Sequence, residues 1–409
     1  MNARPYDSTR DKHACWRIWQ EVGWIDKETE DQMDVVYSRS GRGWVADLNG
    51  EPECLVMATP GDLQYLDELL PFGCITGVTT SRLGRKQGLA GRLTAHAIAE
   101  EVASGALLCG LGMFDQGYYN QLGFGSGSYS QTIAIPVQNL LVKERARVPE
   151  RLSLDDWQEL HAARLNRHRA HGSSNLYPAE ITFARMHWGN HHFGLGYRDD
   201  ADGGFSHLLW CCADNIENGP YFVKYLVYRT REQFLELMAV LKSLGDQVYV
   251  ANIPEPPGVQ LQDLVHQPFR THRMSGGAHE IKNSVYAWWQ MRLCDLPGCL
   301  DRTHLPWGET RFNLKLSDPI ERYLDEDRPW RGVAGDYVVT LGPDSGAEPG
   351  HDATLPTLTT TVNAFTRLWL GVRPATTLAY TEDLQAPRDL LEALDATIRV
   401  PSPNPDWDW

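Results

Sequence analysis

Seven residues, Cys74-Ile-Thr-Gly-Val-Thr-Thr80, are followed closely by Arg85-Lys-Gln-Gly-Leu-Ala90 and then by a stretch that puts Leu89, Leu93 and Ala97 on one helical face. The β-branched run predicts a strand and the 3.6-residue spacing an amphipathic helix. The chain must therefore make a strand, a glycine turn and a helix in this order. Gly88 lets backbone approach a ligand closely, and the first amides of the helix lack intrahelical partners. With the positive end of the helix dipole they form an anion site, to which Arg85 and Lys86 add charge. A pyrophosphate fits such a turn. R-x-x-G-x-A alone is common, and its position directly after an apolar strand gives it weight. Arg169-Ala-His-Gly172 also spells R-x-x-G, but it follows a helix and a basic run and predicts nothing more than a backbone turn.

Similar elements alternate around this unit. A helix is expected over Asp11–Val22 and strands over Gly43–Asn49 and Glu53–Ala58. After the helix from Gly88 to about Ser104 come a strand over Ala106–Met113, a short helix over Gln116–Leu122 and a strand over Tyr129–Pro136. Such alternation predicts a mixed α/β sheet. Lys143–Ser153, with one lysine, three arginines and a proline, has the composition of a linker. A second mixed segment follows: a helix over Leu154–His168, strands over Phe193–Tyr197, His207–Cys212 and Tyr221–Arg229, a helix over Arg231–Leu244 and a strand over Gln247–Asn252. Pro254, Pro256 and Pro257 end it, because proline lacks the amide donor. From Val285 onward the pattern changes again, with strands over Arg311–Leu316 and Tyr337–Leu341, a Pro/Gly-rich loop over Gly342–Gly350 and a helix over Leu358–Leu370. At 409 residues the chain exceeds the roughly 250–300 at which single cores stop growing. The expected domains are 1–142, 143–284 and 285–409.

Bulk properties narrow the function. The longest apolar stretches fall far short of the ~18–20 residues that cross a bilayer, so no membrane partner is expected. Met1–Lys12 has no apolar core of the secretory kind, which predicts a cytoplasmic protein. The 8 cysteines show no C-x-x-C pair, which suits reduced thiols and argues against structural zinc. A net charge of −15 opposes approach to phosphate backbones and excludes a nucleic-acid partner, while a cationic small molecule or a lysine side chain suits it better. An acidic surface also serves solubility alone. The tail ends in Asp406-Trp-Asp-Trp409, and two tryptophans are costly to leave in water, so burial is expected there.

Downstream of the turn lies Tyr118-Tyr-Asn-Gln-Leu-Gly-Phe-Gly125. A helix ending in glycine explains Gly123 and Gly125 as backbone devices, and the tyrosines could simply be core aromatics. His13 and His96 are candidate bases that packing would equally explain. His168 and His171, at helical spacing, have no carboxylate placed to complete a metal site, so a solvated face and no metal are expected.

Together these segments resemble the GCN5-related N-acetyltransferases, and more narrowly the Eis (enhanced intracellular survival) family. The resemblance is carried by V-T-x-x-x-x-x-R-x-x-G-L over Val78–Leu89 and Y-x-x-L-G-F-G over Tyr119–Gly125. Gly23-Trp-Ile-Asp26, Arg292-Leu-Cys-Asp-Leu-Pro297 and the looser Ala364–Gly371 run extend it over nearly the whole chain. It implies tandem acetyltransferase folds, of which only the first binds acetyl-CoA, then a sterol-carrier-protein-like α+β domain whose end reaches the active site. It also implies a homo-oligomer, a hexamer by family resemblance. In the matching positions Val78 and Thr80 lie on the strand that pairs with pantetheine. Arg85, Lys86, Gly88, Leu89 and Ala90 surround the pyrophosphate, Tyr119 is the general acid, and the terminal carboxylate of Trp409 is the base. Thr80 replaces an apolar residue and Gly84 precedes Arg85, which blurs the pantetheine pairing. The expected activity is direct acetyl transfer to a primary amine of an aminoglycoside-like, polyamine-like or lysine acceptor. A non-catalytic acyl-CoA or lipid carrier, and a longer-chain N-acyltransferase of the peptide-myristoylating kind, are the competing expectations.

Overall fold

The structure, a computed structural model, describes residues 2–26, 39–201, 203–266 and 280–409. It divides into one unit of residues 1–128, 171–178 and 287–409 and another of 129–170 and 179–286. In chain order the first unit holds β1 (Asn2–Pro5), β2 (Arg42–Leu48), β3 (Glu51–Tyr65), β4 (Glu68–Thr80), β5 (Leu108–Gly112) and β6 (Gly125–Ser126). The second holds β7 (Ser130–Ile135) and β8 (Glu150–Leu152). After β9 (Ser174–Leu176), which returns to the first unit, the second continues with β10 (Phe193–Tyr197), β11 (His207–Ala213), β12 (Tyr221–Val227), β13 (Ala251–Pro254) and β14 (Lys282–Tyr286). β15 (Trp289–Leu293) opens the remaining part of the first unit.

The first sheet has the order β1-β2-β3-β4-β5-β15-β6, with β9 added to β3. β3 and β4 form a hairpin much longer than the Glu53–Ala58 and Cys74–Thr80 strands the sequence suggests. Gly61 and Gly73 interrupt the sequence pattern because they mark close approach and not strand ends. A Cβ on Gly61 would lie 1.9 Å from the Asn175 carbonyl oxygen, and one on Gly73 3.0 Å from Glu101 Cγ. α1 (Ser8–Glu21) is capped by Asp7, and α2 (Leu89–Ala103) buries Leu89, Leu93 and Ala97 as its spacing predicts. That face packs on Cys54, Val56, Ala58, Ile75, Cys109 and Leu111. α3 (Gln116–Asn120) follows β5. β15 enters antiparallel between β5 and β6, so a strand from beyond residue 285 completes the first sheet.

The second unit is a seven-stranded sheet ordered β14-β7-β13-β12-β11-β10-β8 with α4 (Trp157–Leu165), α5 (Ala179–Met186) and α6 (Arg231–Ser243). β7, expected in the first domain, pairs with β13 and β14, and β8 lies in the expected linker. The strand expected from Gln247 starts at Ala251, because the amides of Gln247 and Val248 still donate to the Leu244 carbonyl and prolong the helical turn.

The C-terminal part is α+β. α7 (Leu296–Leu300), β16 (Thr310–Ser317), β17 (Gly335–Leu341), β18 (Gly346–Pro349), β19 (Thr357–Thr361), α8 (Val362–Trp369), α9 (Ala375–Leu378), β20 (Leu384–Gln385) and α10 (Arg388–Thr397) build a sheet ordered β18-β17-β16-β19-β20. The helix expected over Leu358–Leu370 is a strand that turns into a helix at Thr361, whose hydroxyl accepts the Ala364 amide at 3.3 Å. The loop expected over Gly342–Gly350 contains β18. No helix among the described residues is long and apolar enough to cross a membrane. The eight cysteines are all buried and none forms a disulfide.

Candidate active site

The start of α2 is bare. Gly88 occupies its N-cap in the left-handed region (φ 72°), with no side chain capping the helix and nothing within 4 Å of where a Cβ would sit. Among the described residues, the amides of Lys86, Gly88, Leu89 and Ala90 make no hydrogen bond. Unpaired donors of this kind at the positive end of a helix favour an anion. Arg82, Arg85, Lys86 and Arg92 are all exposed, and their side chains make no ion pair among the described residues. The stretch from Ser81 to Ala99 has no acidic residue, in a chain of net charge −15. The turn itself is held by the Ser81 hydroxyl, which accepts the Gly84 amide at 3.0 Å. Gly84 is needed for space, since a Cβ there would lie 2.8 Å from Thr80 Cγ2 and 2.9 Å from the Glu53 carbonyl oxygen.

Upstream, β4 and β5 part. They pair in parallel only from Phe72–Cys74 against Leu108–Gly110, while β4 runs on to Thr80. The register of β3 against β4 shifts between Leu55 and Met57, opposite Gly77, which has φ 63°. A bulge of this kind bends the strand away from its neighbour. Beyond Cys74 no strand among the described residues pairs with the edge of β4 that faces β5, which leaves a wedge-shaped split between the two strands. Val78 packs into the cluster beneath α2, and Thr80 turns to Cys54, Oγ1 to Sγ 3.4 Å.

Tyr119 lies in α3, whose N-terminus is fixed by Asp115 accepting the Tyr118 amide at 2.9 Å. Its side chain is 3% exposed and shares the cluster of Val78, Cys109 and Leu111. The rings of Tyr118, Phe114 and Phe124 stand edge-on to it at 5.0, 5.6 and 6.3 Å. Its hydroxyl makes no hydrogen bond among the described residues. Burial, with smaller contributions from Tyr118 and Cys54, raises the phenol above its ordinary pKa, so it is protonated at neutral pH. Tyr118 is pushed up to about 12, again mainly by burial.

Trp409 occupies the opposite face of the sheet. Along β5, Cys109 and Leu111 face α2, while Gly110 and Gly112 face the tail. A Cβ on Gly110 would lie 2.6 Å from the Phe72 ring and 3.0 Å from the Trp409 ring, and one on Gly112 would lie 3.7 Å from the Trp409 carbonyl oxygen. The indole lies between Phe72 at 5.4 Å and Trp288 at 5.5 Å. The tail is anchored along the segment before β9. The Asn404 amide donates to the His171 carbonyl at 3.2 Å and the Ser174 amide to the Pro405 carbonyl at 2.9 Å. Trp407 and Trp409 are buried, as the cost of exposing them predicts.

Val78 and Tyr119 thus share the face of the sheet beneath α2, and Trp409 lies on its other face. Arg85, Lys86, Gly88, Leu89 and Ala90 lie together at the start of α2, with Thr80 just upstream. The histidines lie elsewhere. His96 packs beside Trp44, with Arg328 donating to its Nδ1, and His13 is exposed against Trp16. His171 corrects the expected solvated face: it is 4% exposed, its Nε2 donates to the Leu370 carbonyl at 3.0 Å and its Nδ1 accepts the Leu66 amide at 3.2 Å. Burial lowers its pKa and keeps it neutral. No group of three or more potential metal ligands occurs among the described residues. Sequence reasoning missed Arg82, Arg92, Phe72, Gly77, Trp288 and Ser174. The acid-free stretch after Ser81 would have pointed to the two arginines.

The second unit offers a contrast at the equivalent strand-to-helix junction. The Thr230 hydroxyl accepts the Gln233 amide at 3.3 Å and Gln233 Oε1 accepts the Arg229 amide at 2.8 Å, so α6 caps itself and has fewer open donors.

No family model matches this chain, and no curated protein matches its sequence. Solved structures match it over its length. Eis1 from Mycobacterium abscessus has a TM-score of 0.77 at 16% identity over 100% of both chains. A GCN5-related N-acetyltransferase from Anabaena variabilis has a TM-score of 0.76 at 13% identity over 98% of both. A conserved protein of unknown function from Enterococcus faecalis, described as a probable N-acyltransferase, has a TM-score of 0.76 at 17% identity over 98% of this chain and 97% of its own. The chain has the fold of these proteins from end to end.

Proposed function

We propose that the chain is an Eis-like N-acetyltransferase that takes an acetyl group from acetyl-CoA and passes it directly to a primary amine of a cationic acceptor. The observation that carries this reading is the uncapped start of α2, where open amides gather with four cations that make no ion pair among the described residues, in an otherwise acidic chain. Coenzyme A fits these residues. Its phosphates need donors and positive charge, which the turn from Arg82 to Arg92 has, and its pantetheine amides need an unpaired strand edge, which β4 has beyond Cys74.

The bound thioester supplies the activated acyl group. An open amide of β4 near Val78 donates to the acyl oxygen as negative charge grows there. Tyr119, kept protonated by burial, donates a proton to the departing sulfur. The amine must give up a proton, and alkyl ammonium groups titrate near ~10.4. The terminal carboxylate of Trp409, on the other face of the sheet, accepts that proton directly or through water. A carboxylate in that role needs burial to raise its affinity for a proton. The acidic chain favours a polyamine-like, aminoglycoside-like or lysine acceptor. A sterol-carrier-like C-terminal domain, homo-oligomeric assembly and a cytoplasmic location belong to the same proposal and rest on the family resemblance.

The test is titration of the purified protein with coenzyme A by calorimetry, then thiol release from acetyl-CoA with spermidine, kanamycin and a lysine peptide. Binding together with release on one of these amines supports the proposal. Absence of binding defeats the cofactor assignment, and binding without release on any amine leaves a carrier rather than an enzyme.

A further inference from the structure

The turn that follows Tyr119 is held by side chains from far along the chain. The Tyr119 carbonyl accepts the amides of Leu122 at 2.9 Å and Phe124 at 3.3 Å, which closes α3. The Asn120 carbonyl accepts the Gly123 amide at 3.1 Å, which leaves the carbonyls of Leu122 and Phe124 as acceptors at a helix end, where unmet groups must find partners. Arg292, fully buried on β15, donates through Nη1 to the Leu122 carbonyl at 2.5 Å and through Nη2 to Asp318 at 2.6 Å. Asn363 of α8 donates to the Asn120 carbonyl at 2.9 Å and the Phe124 carbonyl at 2.8 Å. Asp318 is held in turn by the amides of Ile320 at 3.1 Å and Val333 at 3.0 Å.

The glycines of the tyrosine loop admit this cradle. A Cβ on Gly123 would lie 2.8 Å from Arg292 Nη1, and one on Gly125 would lie 2.4 Å from the Asn363 carbonyl oxygen. Both side chains of the Arg292–Asp318 pair are wholly buried. Such a pair is weak evidence for stability, since apolar replacements of similar volume are often neutral. Arg292 Nε has no partner among the described residues, so the pair is not arranged for maximal hydrogen bonding. What its geometry does secure is the position of the carbonyl three residues after Tyr119.

We infer that Arg292, oriented by Asp318, and Asn363 are positioning residues that hold the Tyr119 phenol at the split between β4 and β5. This rests on the proposed role of Tyr119 as proton donor. The C-terminal part of the chain thereby sets the geometry of the acid.

The test compares Arg292→Met/Asp318→Leu and, separately, Asn363→Ala with the parent protein, each with and without Tyr119→Phe, using acetyl-CoA and the amine that turns over. If the double variant does not fold, Asn363→Ala decides alone. The expected result is a kcat at least tenfold lower with the KM for acetyl-CoA within twofold, and less than twofold further loss in the Tyr119→Phe background. In the unliganded protein, amide hydrogens of residues 122–124 should exchange at least tenfold faster while those of α2 keep their protection. Equal losses in both backgrounds, or unchanged exchange at 122–124, would overturn the inference. Full turnover by Tyr119→Phe alone would overturn it too, by removing the tyrosine's role. Failure of the parent protein to bind coenzyme A would show itself separately in calorimetry.

Discussion

The indole Nε1 of Trp409 donates to the Ser174 hydroxyl at 3.1 Å, and that hydroxyl donates to the Pro405 carbonyl at 3.2 Å. One buried side chain thus ties both the last residue and the turn before it to β9. Ser174→Ala should leave the indole N–H without a partner, at a cost of about 1–3 kcal/mol. A lower melting temperature and reduced turnover with unchanged coenzyme A affinity are expected. Calorimetry beside a kinetic assay checks this.

Residues added after Trp409 would turn the carboxylate proposed as base into an amide, which cannot accept the proton. The extended protein should bind coenzyme A like the parent and turn over at background rate. Full activity in such a protein would eliminate the terminal carboxylate as base.

Gly88→Ala should weaken coenzyme A binding without a steric clash, because a Cβ there meets nothing within 4 Å. The cost is conformational, about 1–2 kcal/mol for a side chain in the left-handed region. Arg85→Gln and Lys86→Gln should each weaken binding too, and the parent's affinity should fall with added salt more steeply than theirs. Titrations at two ionic strengths measure both effects.

His171 is neutral in the folded protein with its pKa lowered, while in the unfolded chain it titrates near ~6.5. The unfolded state therefore binds more protons at acid pH. The histidine's contribution is fully present above about 6.5 and is lost as pH falls through the lowered folded value. Melting temperature should drop between pH 7.5 and 5.5. His171→Gln should flatten that drop without abolishing it, since His96 and His207 are lowered as well.

Tyr119→Phe should reduce kcat by about 10²-fold or more, the usual scale for a positioned acid. Because burial raises the phenol above ~10, an alkaline loss of kcat due to Tyr119 should lie above the ordinary tyrosine range. A pH–rate profile that turns down at neutral pH in the parent but not in the phenylalanine variant would contradict this.

Local features were the legible ones. Leu89, Leu93 and Ala97 announce α2 through their spacing, and Gly88 announces the turn because a left-handed N-cap favours glycine. Burial of Trp409 follows from the cost of exposing an indole, but its seat on Gly110 does not, since that contact joins distant segments. Pro60, Gly61, Pro71 and Gly73 hid the length of β3 and β4, because breakers in sequence mark close packing here. His171 looked like half of a solvated pair because nothing nearby in sequence reveals Leu66 and Leu370 as its partners. The Arg292 cradle joins residues 122, 292, 318 and 363, and no periodicity spans such separations.

β15 carries a consequence for biogenesis. The first sheet lacks the strand between β5 and β6 until the ribosome has made the entire second unit, so the earliest part of the chain must wait with an open edge. Such edges invite pairing with other chains. A fragment cut at residue 142 should accordingly aggregate, and co-expressing the remainder should rescue it.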